Sequence, residues 1–340
     1  MTRYLTKLGA KVGGIQNIPT HKALELGKGI DGLYVDGVPE LVTGELSKWA
    51  EFAGVEAIRI PAYWMHKPAS QLVMGEKARD DEKVIYFFHG GAYVSLSSHP
   101  SSSTSEIPRS IIAHTQSLRR SFAVEYRLTA LGENPFPAQL LDALAGYSYL
   151  VNTVGFRPEN IILVGDSAGA NLALALTRYL ISNSQAVKDL PSPPGGMVLL
   201  SPWCDLTGSH VVPGSSYYKN IPTDFLSPPP LTGPDFAPST LAGPHGLDIL
   251  KNEYISPAYK NLDATGLFKQ FPPAFISAGD AEILLDSIVT LQERMVAGMG
   301  KEKVEILITK DAFHDFVGFL WFEPQRTQVV EAIGDWIERL

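Results

Sequence analysis

The sequence predicts an α/β fold in which a mostly parallel central sheet is covered by helices on both faces. Short apolar segments alternate with helical segments along most of the chain, and one of the apolar segments leads through a glycine-rich turn directly into a helix. A chain of 340 residues can bury a sizeable core, and its length permits one large α/β domain or two smaller ones. The alternation of elements therefore indicates parallel strands that are buried on both sides.

The segment that organises this prediction is the strand expected at Ile161–Gly165. It is too short for a helix and rich in β-branched side chains, so we expect a buried strand. A Gly-x-Ser-x-Gly turn follows, and a strong helix former begins at Asn171. In this strand–turn–helix context the motif is typical of a nucleophile elbow, which places Ser167 at the carboxyl edge of the sheet. The alternative is a turn whose serine only caps the helix.

The remaining elements continue the alternation up to one long irregular stretch. Further strands are expected at 55–61, 83–88, 121–126, 197–201, 274–277 and 304–308, and helices at 41–52, 137–150, 283–299 and 325–340. The strand at 55–61 alternates apolar and polar residues and ends in proline, which is typical of an edge strand. The stretch at 204–254 is rich in Pro, Gly and Ser, and a loop of this length predicts a lid or a binding insertion.

A serine nucleophile needs a histidine base and a carboxylate that orients the histidine. In this type of fold the three follow the chain order serine, acid, histidine, each on a loop at the carboxyl end of a strand. His314 follows the last predicted strand and is the only histidine after His245, which makes it the candidate base. The candidate acids lie near strand ends and are Asp280, Glu282, Asp286 and, as a weaker alternative, Asp205.

Backbone N–H groups near the nucleophile could bind the oxyanion that forms during acyl transfer. His89, Gly90 and Gly91 close a predicted strand, and their unhindered backbone can direct N–H groups towards that oxygen. Ala168, directly after Ser167, would supply another donor at the helix N-terminus. Loss of one such donor typically costs on the order of 3 kcal/mol of transition-state stabilisation. Alone, the His-Gly-Gly turn could equally be a simple strand terminator.

Taken together, these motifs resemble the hormone-sensitive-lipase family of α/β-hydrolases, from about Lys83 to the C-terminus. The motifs that carry the resemblance are His89–Tyr93, Glu125–Leu128, Asn134–Ala138, Gly165–Asn171 and the loop around His314. The resemblance implies the α/β-hydrolase fold with a helical cap built from the N-terminal residues and the insertion. The implied division is an N-terminal cap region at 1–50, a catalytic domain at 51–204 and 256–340, and a cap insertion at 205–255.

The resemblance also favours one of the candidate acids. Members of the family carry Pro-Pro-Ala, a strand and then Asp-x-Leu-x-Asp, in which the first Asp is catalytic. Counted from Pro272, that position is Glu282, and Asp280 is the alternative. A glutamate departs from the usual aspartate, but either carboxylate can hold the imidazole tautomer.

A second departure from the family lies at Ala92, where many members have a third glycine. The N–H group of Ala92 is retained, but a positive φ at this residue would be strained. The predicted oxyanion donors are therefore Gly90, Gly91 and Ala168.

These residues predict a serine hydrolase without metal or cofactor, acting on carboxylic esters. The resemblance to the family implies small substrates, namely esters with short- to medium-chain acyl groups or compact natural-product esters. Ser167 would form an acyl-enzyme, with His314 as base and Glu282 as acid. Two alternatives remain: the same triad could cleave amides, lactones or carbamates or transfer the acyl group, or the scaffold could serve as a non-catalytic small-molecule receptor, as in the plant gibberellin receptor.

Composition excludes several other classes. A net charge of −8 without a basic stripe speaks against nucleic-acid binding. No apolar run approaches the ~20 residues of a membrane-spanning helix, so no stable membrane insertion is expected. Cys204 is the only cysteine, which precludes an intramolecular disulfide and fits a reducing compartment. We expect a cytoplasmic protein, and a homodimer is compatible with the sequence.

Overall fold

An eight-stranded sheet forms the centre of the computed structural model, which describes residues 19–68, 70, 72–226 and 237–340. The strands are β1 (Asp31–Val35), β2 (Ile60–His66), β3 (Lys83–Phe88), β4 (Leu118–Val124), β5 (Ile161–Asp166), β6 (Gly196–Leu200), β7 (Ala274–Gly279) and β8 (Val304–Thr309). Their order in the sheet is β1-β2-β4-β3-β5-β6-β7-β8. The β1–β2 and β2–β4 pairs are antiparallel and all other pairs are parallel, which confirms the predicted mostly parallel sheet.

Helices cover both faces of this sheet. They are α1 (Gly44–Ala53), α2 (Glu106–His114), α3 (Ala138–Ser148), α4 (Ala168–Ser182), α5 (Ser216–Asn220), α6 (Ala237–Ala242), α7 (Leu285–Met299) and α8 (Gln325–Arg339). On β3, Tyr86 and Phe88 belong to the core beneath α3 and α4, whereas Ile85 and Phe87 belong to the core beneath α2 and α8. Because successive side chains of a strand point to opposite faces, this division shows that β3 is buried on both sides.

The predicted edge strand at 55–61 was wrong. The strand at this point is β2, which begins at Ile60 and lies between β1 and β4. Pro61 is tolerated there because pairing with β4 begins only at Ala62, so the missing N–H group falls at the end of the ladder. The strand at this edge of the sheet is β1, whose residues lie within the range expected for the N-terminal cap region.

The other predicted elements are found within a few residues of their expected bounds. The four predicted helices are α1, α3, α7 and α8, and the helix expected from Asn171 lies within α4. The insertion holds the short helices α5 and α6 in its described part. Residues 1–18 of the N-terminal cap region and 227–236 of the cap insertion lie outside the described residues.

Candidate active site

The turn between β5 and α4 consists of Ser167 alone, with φ 51° and ψ −114°. Such a conformation costs a non-glycine residue roughly 1–3 kcal/mol and is typical of functional sites. The neighbouring glycines permit this tight turn: a Cβ atom on Gly165 would overlap the backbone of Gly169, and one on Gly169 would overlap the carbonyl of Phe88. The side chain of Ser167 therefore lies where the carboxyl end of β5 meets the N-terminus of α4.

Two further predicted residues lie in line with this serine. His314 Nε2 is 3.0 Å from Ser167 Oγ, and His314 Nδ1 is 3.1 Å from Glu282 Oε2. The other oxygen of Glu282 accepts a hydrogen bond from the N–H of Gly279 at 3.1 Å. All three side chains are buried, and Glu282 is 0% exposed. They follow β5, β7 and β8, whose carboxyl ends meet at one edge of the sheet.

The alternative acids Asp280 and Asp286 are engaged elsewhere. Asp280 Oδ1 accepts a hydrogen bond from the N–H of Asp311 at 2.6 Å, and Asp286 Oδ2 accepts one from the N–H of Ser216 at 2.9 Å. Among the candidate acids near β7, the structure brings only Glu282 into contact with the imidazole.

The charges at this site are strongly coupled. Burial raises the pKa of Glu282, although its hydrogen bond with His314 opposes the shift. Burial disfavours the charged form of His314, but the carboxylates of Asp315 and Glu282 outweigh it and raise the pKa of His314 well above 6.5. Asp315 was not predicted as a site residue, yet its Oδ2 lies 3.0 Å from His314 Nε2. The available signal was a carboxylate adjacent in the chain to the predicted base.

The loop that follows β3 carries the predicted oxyanion donors. Gly91 has φ 100°, and a Cβ atom there would overlap the carbonyl of Ser95, so this position requires glycine. Ala92 has φ 55°, which is the strained conformation expected if alanine replaced a third glycine. The N–H of Gly90 faces the carboxylate of Asp166, which makes Gly90 the least available of the predicted donors.

The side chain of His89 contacts the backbone of this loop. Its Nδ1 lies 2.7 Å from the carbonyl oxygen of Gly90, and Tyr126 donates a hydrogen bond from its hydroxyl to the carbonyl of His89 at 2.6 Å. Burial lowers the pKa of His89 to about 4, so the ring is neutral near neutral pH and Nδ1–H can donate to Gly90. This bond fixes the peptide plane that joins Gly90 to Gly91. Ala168 directly follows the nucleophile, at the first position of α4.

A mainly apolar cavity of about 270 Å³ opens onto Ser167. Its described walls comprise Ala92, Trp203, Asp205, Leu206, Gly208, Val211, Tyr217, Leu226, Ala237, Pro238, Ile283 and Leu284. Many of these residues belong to the insertion, which therefore lies over the nucleophile. Within the described ranges, no group of His, Cys, Asp or Glu side chains could hold a metal ion, and no helix is long and apolar enough to cross a membrane.

Asp205, the weaker alternative acid, belongs to a separate chain of contacts. Its Oδ2 lies 2.7 Å from His210 Nδ1, and His210 Nε2 lies 3.0 Å from Thr290 Oγ1. The hydroxyl of Thr290 donates to the carbonyl of Asp286 at 3.0 Å, so its proton points away from the imidazole. Burial opposes the charge of Asp205, but hydrogen bonds from its neighbours hold its pKa below the usual value. This chain of contacts fastens the insertion to α7.

Comparisons with known proteins show which family the chain resembles. Residues 85–318 match the family described as the alpha/beta hydrolase fold. An esterase from Acinetobacter venetianus is 29% identical over 265 residues, which cover 76% of this chain and 75% of that protein. An acetyl-hydrolase from Streptomyces hygroscopicus is 32% identical over 221 residues, which cover 64% of this chain and 62% of that protein.

Solved structures match this chain over nearly all of its residues. An esterase from the bacterial hormone-sensitive lipase family is 25% identical with a TM-score of 0.64, covering 99% of this chain and 90% of that one. A hormone-sensitive lipase from a metagenome library is 26% identical with a TM-score of 0.62, covering 100% of this chain and 92% of that one. These findings confirm the predicted fold and the resemblance. The chain therefore belongs to the α/β-hydrolase fold family, within its hormone-sensitive-lipase group of esterases.

Proposed function

We propose that this protein hydrolyses carboxylic esters with Ser167 as nucleophile, His314 as base and Glu282 as acid. The observation that carries the proposal is the continuous contact from Glu282 through His314 to Ser167, at 3.1 and 3.0 Å, on a strained elbow. The family and the esterases among the relatives support a hydrolase acting on ester bonds.

The acylation step follows from these contacts. His314 Nε2 takes the hydroxyl proton as Ser167 Oγ attacks the acyl carbon, and Glu282 stabilises the resulting imidazolium through Nδ1–H. The negative charge moves to the former carbonyl oxygen, to which we assign the N–H groups of Gly91 and Ala168 as donors, with Gly90 as a weaker third donor. His314 then gives its proton to the leaving alkoxide, and the acyl group stays on Ser167.

Deacylation repeats these steps with water. His314 removes a proton from a water molecule as the water oxygen attacks the acyl carbon of the acyl-enzyme. The proton then passes to Ser167 Oγ when the carboxylic acid product is released. No atom beyond those of the ester and one water is consumed.

The cavity favours small substrates. Its volume of about 270 Å³ lies at or below the lower end of the ~300–1,000 Å³ common for ligand pockets, and its walls are mainly apolar. We therefore propose short- to medium-chain acyl esters or compact natural-product esters as substrates. The name of the Streptomyces relative, an acetyl-hydrolase, points to the short end of this range.

We further propose that the N-terminal residues and the insertion at 205–255 form one cap. The ring of Trp49, on α1, lies 5.2 Å from that of Tyr254, and the ring of Phe52 lies 5.0 Å from that of His245. These contacts join the described parts of both regions above the catalytic domain.

A series of p-nitrophenyl esters tests the proposed function. The value of kcat/KM should be highest for acetate to octanoate and at least about tenfold lower for palmitate, because one or two methylene groups already change pocket binding by that order. An initial burst of p-nitrophenol would report the acyl-enzyme. Matched p-nitroanilides test the amide alternative. Absence of hydrolysis of every ester by the folded protein would contradict the proposal.

A further inference from the structure

Asp315 places a second carboxylate on the nitrogen that faces the nucleophile. Its Oδ2 lies 3.0 Å from His314 Nε2, and Ser167 Oγ lies 3.0 Å from the same nitrogen. The backbone of Asp315 has φ 52°, and its N–H donates a hydrogen bond to Ser201 Oγ at 3.1 Å. The backbone of this aspartate is thus anchored beside the reacting atom.

The other acidic groups that face His314 come from three further elements. Glu282 contacts Nδ1 from the loop after β7, Asp224 approaches from the insertion, and Asp166 lies at the end of β5. The carboxylate of Asp224 accepts hydrogen bonds from the N–H groups of Ile283 at 2.8 Å and Leu226 at 3.2 Å.

Asp166 and Asp315 differ in what they can do for the imidazole. Burial, and then the nearby charge of Asp315, raise the pKa of Asp166 well above its usual value and so favour its neutral form. In both carboxyl groups Oδ1 is buried and has no hydrogen-bond partner within the described part of the chain. Among the four acids, Asp315 is the one in contact with the nitrogen that must exchange a proton with Ser167.

This contact has opposite effects on the two protonation states of His314. The neutral imidazole must present a lone pair at Nε2 to accept the serine proton, and a carboxylate 3.0 Å away repels that lone pair. The protonated ring instead attracts the carboxylate, and burial strengthens the attraction because the local dielectric is low.

We propose that Asp315 is a catalytic residue that favours the protonated form of the base: its carboxylate holds a proton on His314 Nε2 in the free enzyme, and it stabilises the imidazolium that forms when Ser167 is deprotonated. This inference rests on the proposed ester hydrolysis, in which His314 must accept that proton.

The Asp315→Asn variant tests the proposal, since asparagine has nearly the same volume and tolerates a positive φ. The measurement is kcat/KM for p-nitrophenyl acetate across the acidic and alkaline ranges. The acidic limb of the pH profile of kcat/KM should move to lower pH by about one unit. At pH values on the acidic side of this limb, kcat/KM should therefore rise by about tenfold. An unchanged limb in the folded variant would overturn the proposal.

Two further variants complete the design. Asp311→Asn is the matched control, because Asp311 is an exposed aspartate on the same loop with φ 58°, and its profile should overlay that of the unmodified enzyme. Asp315→Gly also fits the positive φ and removes the carboxylate, so it must show the same shift if the asparagine variant folds poorly. A Ser167→Ala variant with full activity would overturn the proposed function itself. That outcome does not depend on the pH profiles of the Asp315 variants.

Discussion

The described part of the chain contains two carboxylate–imidazole–hydroxyl chains with nearly the same distances. In one, Glu282, His314 and Ser167 are joined by contacts of 3.1 and 3.0 Å; in the other, Asp205, His210 and Thr290 are joined by contacts of 2.7 and 3.0 Å. Distances alone would give both the same chemistry. The surroundings of the two hydroxyl groups separate them.

The hydroxyl proton of Thr290 is donated to a helix carbonyl, in the second turn of α7. Ser167 Oγ instead contacts His314. Ser167 lies on a strained turn between a strand and a helix N-terminus, and the loop that carries Gly91 lines the same cavity at Ala92. The comparison teaches that a carboxylate–imidazole pair is not sufficient for a nucleophile. The hydroxyl proton must also be free to pass to the imidazole, and donors for the oxyanion must lie nearby. The Asp205 chain supports the structure and the Glu282 chain supports the proposed reaction.

Removal of the two hydroxyl groups should give the largest contrast. Ser167→Ala should lower kcat by a factor on the order of 10⁴ to 10⁶, because the nucleophile is lost while the fold remains. Thr290→Val should leave kcat for p-nitrophenyl butyrate within about twofold and destabilise the fold by about 1–3 kcal/mol, since it leaves buried polar groups unpaired. Equal losses of activity in both variants would remove the distinction between the two chains.

Neutralising the two carboxylates is the next contrast. Glu282→Gln should lower kcat by a factor on the order of 10⁴, because the amide favours the wrong tautomer of His314. Asp205→Asn should keep kcat within about tenfold and lower the free energy of unfolding by about 1–3 kcal/mol. Initial rates and denaturant unfolding measure the two effects. A large loss of activity in Asp205→Asn and a small one in Glu282→Gln would show that the catalytic role belongs to the Asp205 chain.

The oxyanion loop should respond more weakly. Gly91→Ala should lower kcat by a factor on the order of 10², with little change in KM, because the added Cβ displaces a donor of the transition state. Gly155→Ala is the matched control, since Gly155 has a similar φ of 91° but open space around its Cα. Steady-state kinetics of both variants should separate donor placement from backbone strain.

Another buried histidine–carboxylate pair, His89 and Glu125, should give the smallest effect and only on stability; His89 Nε2 and Glu125 Oε1 lie 4.0 Å apart. Glu125 accepts hydrogen bonds from Ser97 and Ser98, and burial raises its pKa to about 8 from 4.5. The folded state therefore binds this proton more tightly, and its stabilising contribution is complete below pH 4.5 and is lost as the pH rises through 8.

Glutamine imitates the protonated form of this side chain. Glu125→Gln should match the unmodified protein in the free energy of unfolding at about pH 4 and exceed it at about pH 9, by an amount on the order of 1 kcal/mol. Thermal unfolding at both pH values measures this difference. A variant that is less stable than the unmodified protein at the alkaline pH would show that folding does not raise the pKa of Glu125.

The elbow, the base and the favoured acid were predictable because each depends on a short motif and on its order along the chain. The family and fold are confirmed, whereas the residue roles, the absence of a cofactor, cytoplasmic location and a homodimer stay predictions. β1 was missed because a five-residue strand of mixed polarity carries no periodic signal. The influence of Asp315 was missed because it depends on a distance that only the folded loop defines.

Labelling with a fluorophosphonate tests the central claim most directly, because this reagent reacts with serine nucleophiles that a neighbouring base activates. Mass spectrometry of the labelled chain should show one adduct, located on the peptide that contains Ser167, and none on the peptide that contains Thr290. The adduct should be lost in Ser167→Ala and kept in Thr290→Val. Absence of labelling of the folded protein, or an adduct that persists in Ser167→Ala, would contradict the account.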